Sequence, residues 1–175
     1  IKYSIETGEM KLGNWEKFTH YGIVGFLFFI PAMFIFFHLQ DYFQGTPKPF
    51  REGEIWIMVV PSILGLLFYR LQRNRLKFKS IDTNLTQEEF NPIINKVANQ
   101  LQWTPYVVDK KIIIAKTHPS FFSGSWGEQI TILFDKNRIL VNSICDPDKR
   151  SSVVSMGRNK QNMNIIIEEI KKASR

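Results

Sequence analysis

The sequence predicts a two-helix transmembrane hairpin followed by a small soluble α+β domain, mostly antiparallel sheet with two helices on one face. Three observations carry this. Two apolar runs lie close together in the first half of the chain. A dense basic segment follows the second run. Beyond it, short alternating runs and helix-period runs succeed one another with turn residues between them. The mean hydropathy of −0.14 averages an apolar, Phe-rich first third with a polar remainder, and so conceals the division.

The first run, Thr19 to Gln40, contains no Asp, Glu, Lys or Arg. At about 1.5 Å per residue it matches a hydrocarbon core of about 30 Å. The second, Ile55 to Tyr69, is shorter. It is read as a span because Arg70 can extend its length by snorkelling, Trp56 and Tyr69 suit the headgroup layer at its ends, and the first span needs a partner. The spans are set at 19–40 and 54–71, and loop 41–53 is rich in turn residues, with Gly45, Pro47, Pro49 and Gly53. No small-residue cleavage pattern follows the first run. Pro31 and Pro61 sit near the middle of their spans and are expected to bend them. Neither apolar run, Thr19 to Gln40 or Ile55 to Tyr69, holds a charged residue, which argues against a transport path. His20 and His38 would lie about 27 Å apart along one helix, too far to share one haem or metal.

Flanking charge sets the orientation. Lys11 and Lys17 precede the first span, and Arg70, Arg73, Arg75, Lys77 and Lys79 follow the second. The loop has only Lys48 and Arg51, offset by Asp41, Glu52 and Glu54. Segment 1–18 and domain 72–175 are therefore expected on the cytoplasmic side, with the loop outside, most naturally in a bacterial cytoplasmic membrane. From Arg70 onward there are 18 basic and 10 acidic residues, with the excess gathered in the five-residue cluster. That placement suits a surface of anionic lipid headgroups, and no nucleic-acid partner is expected. A lone cysteine, Cys145, excludes an intrachain disulfide and a Cys-rich zinc site.

In the soluble part, Arg75 to Ile81 alternates as a half-buried strand does. Thr86 with Glu89 forms a capping box, and Phe90, Ile94, Val97 and Leu101 recur on one helical face; Pro92 allows a later start capped by Asn91. Trp103 to Val108 and Lys111 to Lys116 read as one hairpin turning at Asp109-Lys110. Gln129 to Phe134 and Arg138 to Ile144 read as another, turning at Asp135-Lys136-Asn137 with Asn137 suited to positive φ. Ser152 to Ser155 reads as a short last strand. A helix from Asn159 to Ala173 follows, with Met163, Ile166, Ile167 and Ile170 on one side and Glu168 paired to Lys172.

Several motifs carry residues that could do chemistry. Ser125 with His118 lacks the spacing and the strand-to-helix setting of a nucleophile elbow. Asp146 and Asp148 offer two carboxylates, but without further ligands at metal spacing they read as a turn. Phe121, Phe122 and Trp126 lie in a Gly- and Ser-rich loop, where they could enter the membrane interface, grip a partner or fold back over the core. Gly157, Arg158, Asn159 and Lys160 form the best binding candidate, a helix start whose free N–H groups and two cations suit a phosphate or carboxylate. The plainer reading, which we favour, is a solvated helix start capped by Asn159.

No catalytic set, cofactor or metal is expected. The leading functional expectation is a membrane-anchored interaction module, an accessory subunit or assembly factor of a larger membrane complex, with a partner membrane protein or a second copy of itself. A sensor binding an anionic ligand or headgroup comes second, and a lipid-modifying enzyme third.

Overall fold

A computed structural model describes residues 1–118, 126–149 and 155–174. The order of elements is α1 (Lys2–Thr7), α2 (Asn14–Phe43), α3 (Ile55–Arg75), β1 (Lys79–Asp82), α4 (Gln87–Leu101), β2 (Trp103–Asp109), β3 (Ile112–Thr117), β4 (Glu128–Asp135), β5 (Arg138–Cys145) and α5 (Arg158–Ala173). Two long apolar helices are thus followed by a five-stranded antiparallel sheet of order β1-β5-β4-β3-β2, with α4 and α5 packed together on one face.

Helices α2 and α3 are long and apolar enough to cross a membrane, and only 11% of each one's apolar window is buried. They run unbroken through Pro31 and Pro61. Between them the packing is close. A Cβ added at Gly65 would meet the Phe28 ring at 3.0 Å, and the Tyr21 and Tyr69 ring centroids lie 5.6 Å apart. At the far end Phe34, His38 and Phe50 cluster, and His38 lies 3.8 Å from Glu54. In a chain with Cys145 replaced by serine, Gly65→Leu should reduce oxidative cross-linking between cysteines placed at Tyr21 and Tyr69. Cutting Phe28 to alanine should restore it, because the ring is what the new side chain displaces.

The helix-bearing face of the sheet holds the main core. Phe90, Val97, Ile130, Val141, Ile166 and Ile170 are fully buried there. The Thr86–Glu89 capping box forms as expected, so the later start at Asn91 is not used and Pro92 lies inside α4. Edge strand β2 accommodates Pro105, which has no N–H to give, at a bulge. The turn after β4 places its positive φ on Lys136, at 47°, and not on Asn137. The expected Glu168–Lys172 pair is replaced by Glu169, which takes Lys172 from its own helix and Lys96 from α4. These two lysines hold the Glu169 carboxyl down to about 2.

Two boundaries move. Helix α3 continues to Arg75, so the strand expected from there begins only at Lys79. Leu76 and Phe78 do point one way, as their alternation implied, but they pack against Met10, Leu12 and Ile144. This is a second small core on the other face of the sheet, covered by the N-terminal segment. Lys77 and Glu9 face each other in an antiparallel backbone bridge, in which the Met10 N–H donates to the Leu76 carbonyl and the Phe78 N–H to the Gly8 carbonyl. Of the expected last strand, residues 152–154 lie outside the described residues.

Side chains at the end of α3 tie the two apolar helices to each other, and others tie them to the sheet. The last carbonyls of any helix lack intrahelical donors. Here His20 Nε2 donates to the Gln72 carbonyl (3.1 Å), while Gln72 Nε2 donates back to the His20 carbonyl (2.8 Å), and both residues are buried. From β5, Asn142 Nδ2 donates to the carbonyls of Arg75 and Lys77, each at 2.8 Å. The Thr19 hydroxyl donates to the Pro147 carbonyl at 2.6 Å.

Candidate functional site

Where the C-terminal end of α4, the end of β3, the start of β4 and the first turns of α5 meet, a polar cleft of about 270 Å³ opens. Gln102, Thr117, His118, Glu128, Arg158 and Asn162 are among its lining. At its base Glu128 is fully buried. A buried carboxylate requires compensation. The Thr117 hydroxyl donates to Glu128 Oε2 and accepts from the Glu128 N–H at 2.8 Å, while Arg158 Nη1 lies 3.8 Å from the same oxygen. His118 stands exposed at the rim.

Of the four residues of the expected anion site, Arg158 lines this cleft, and Gly157, Asn159 and Lys160 do not. Gly157 precedes α5 at φ 83°, and Arg158 turns to Glu128. Asn159 is not the cap. It is buried inside the helix, accepting from the Ser143 hydroxyl at 3.0 Å, with its Nδ2 3.9 Å from Cys145 Sγ. Lys160 is exposed. Asn162 also donates to Ser143, at 3.3 Å, so the first turns of α5 sit on a polar patch of the sheet. An anion taken up here competes with Glu128 for Arg158. Glu128, which binds the strand ends to α5, was missed in sequence, although an acid opening a strand face that is otherwise apolar, with Ile130, Ile132 and Phe134, was a signal.

Thr117→Val keeps the shape of the side chain but removes the hydroxyl that serves both the carboxylate and the N–H of Glu128. It should destabilise the sheet domain by about 1–3 kcal/mol in urea unfolding, with Thr117→Ser close to the parent.

On the other face, Lys116 Nζ lies 3.1 Å from Asp146 Oδ1 and 2.5 Å from Asp148 Oδ2, and 4.8 Å from the Tyr106 ring centroid. Burial opposes the charge on Lys116, yet the hydrogen bonds to Asp148 and Asp146 outweigh it and raise the pKa of the ammonium. The chain's own cation therefore stands between the two carboxylates, and Asp146-Pro147-Asp148 is a turn closed by the Lys149 N–H on the Asp146 carbonyl.

The basic cluster is drawn out along the chain: Arg70, Arg73 and Arg75 end α3, Lys77 joins the N-terminal segment, and Lys79 opens β1. Of the aromatic loop, Phe121 and Phe122 lie outside the described residues, while Trp126 is exposed beside Gly127. Comparison of the chain with family models, with curated proteins and with solved structures returns no match.

Proposed function

We propose that the protein is a membrane-anchored interaction module, with α2 and α3 spanning the bilayer and the sheet domain presented on the cytoplasmic side to a larger membrane complex. The observation that supports this reading is the outward face of the two helices. Phe26, Phe29, Ile35, Phe36, Leu66 and Leu67 are all exposed, an apolar surface that water would not tolerate and lipid would. At about 1.5 Å per residue α2 is long enough for a hydrocarbon core of about 30 Å, while α3 spans it with Arg70 snorkelling beyond its apolar run. Exposed aromatic rings stand near both ends, Trp15 and Tyr69 at one and Tyr42 and Trp56 at the other, as an interfacial belt requires. The capped end of α3 joins anchor to domain without a loose linker, which suits a subunit holding its domain in a fixed place.

Cross-linking in native membranes followed by purification in mild detergent tests the role. The proposal expects a discrete complex, with a second membrane protein or another copy of the chain. Recovery of monomer alone contradicts it. A second reading, binding of an anionic ligand or headgroup, draws on the cleft beside Gly157 and Arg158. Reversing Arg158 and Lys160 should then abolish binding of anionic lipid to the domain, and unchanged binding rules that site out.

A further inference from the structure

The register of the sheet fixes which end of the domain faces the bilayer. Along β5, Asn142 reaches the carbonyl of Arg75 at the end of α3, and Pro147, just beyond the strand, takes the hydroxyl of Thr19, where the apolar run of α2 begins. The strand thus advances toward the apolar helices from Arg138 to Cys145. Pairing of Glu128 with Cys145 and of Trp103 with Thr117 brings the start of β4, the end of β3 and the start of β2 to the same end. The opposite end carries the Asp135–Arg138 turn, where Arg138 donates to the Ile5 carbonyl.

Two large apolar side chains project at the near end. The Asp146 N–H donates to the Gly127 carbonyl at 2.9 Å, which sets Trp126 beside the Pro147 turn, with the tryptophan 53% exposed. Met156 is 69% exposed and holds φ at 46°, immediately before Gly157 at 83°. A left-handed backbone at a non-glycine residue is costly. Here it accompanies an apolar side chain left on the surface. At the same level, Trp15 and Phe18 are exposed on the first turns of α2, and Lys17 and Lys149 are exposed close by.

We propose that this end of the sheet is a second membrane contact. Trp126 and Met156 enter the headgroup layer of the same bilayer that holds the helices, with Lys17 and Lys149 facing lipid phosphates. The domain then lies against the membrane, and the cleft around Glu128 opens at its surface. This rests on α2 and α3 spanning the bilayer.

Spin labels in a chain with Cys145→Ser test it, in vesicles of phosphatidylcholine and phosphatidylglycerol. One label replaces Met156, one replaces Lys136 at the far turn, and one replaces Leu66 on the apolar hairpin. The expected result is a label at position 156 that is at least about threefold less accessible than position 136 to a water-soluble nickel relaxant, and more accessible to oxygen, as for a side chain in the interface. Trp126→Glu should return the label at 156 to water. Equal nickel accessibility at 156 and 136, with 66 in lipid, overturns the second contact and leaves the anchor standing. Shielding of 156 from both relaxants, as by a protein partner, also overturns it. A water-accessible label at 66 removes the anchor and this inference together.

Discussion

Phe90→Ala should cost the sheet domain about 3–5 kcal/mol, the largest effect expected of any single substitution here. Phe90 is fully buried in the layer between α4 and the sheet, with its ring edge-on to Phe134 at 5.2 Å between centroids. It also stands one position past the capping-box glutamate, so α4 cannot rotate to fill the void without breaking the Thr86–Glu89 pair. A domain of this size has a total stability of roughly 5–15 kcal/mol. The variant should therefore melt well over about 10 °C lower, or fail to fold. Phe90→Leu, which keeps most of the volume, should lose much less. A thermal scan followed by circular dichroism reads both.

The second large effect is expected at Gln72, where the consequence is one of position as well as stability. Gln72→Leu fits the buried space but removes the amide that donates to the His20 carbonyl, at a cost of about 1–3 kcal/mol. The His20 carbonyl loses this donor, while His20 Nε2 keeps the backbone carbonyl of position 72, and the junction between the apolar helices and the sheet depends more on Asn142 and Thr19. Amide exchange should rise in residues 72–78 and 8–12, which bond to each other across this junction, while α4 and α5 keep their protection. A uniform rise across the whole domain would instead mean that Gln72 supports the core generally.

The elements of the domain were legible where local chemistry decides. The capping box at Thr86, the period of Phe90, Ile94 and Val97, and the two strand pairs all formed, because each depends on neighbours a few residues apart. The N-terminal segment was not legible as part of the domain. Met10 and Leu12 are too few to show a period, and their partners Phe78 and Ile144 are remote in sequence. The same distance hid the site. Glu128 meets Thr117 and Arg158 only once β3, β4 and α5 are placed, and Asn159, which reads as a cap, is claimed by Ser143 across the layer. Lys172 chose Glu169 over Glu168 because Lys96 of α4 draws that carboxylate to the inter-helix side.

The most direct measurement places the two ends of the hairpin relative to the bilayer. In sealed membrane vesicles of single orientation, with Cys145 replaced by serine, one cysteine is placed at Gly45 in the loop after α2 and another at Lys136 in the sheet domain. A membrane-impermeant maleimide should label only one of the two until the vesicles are opened, because the proposed hairpin would carry the loop to the side opposite the domain. Equal labelling of both before opening would contradict the anchor.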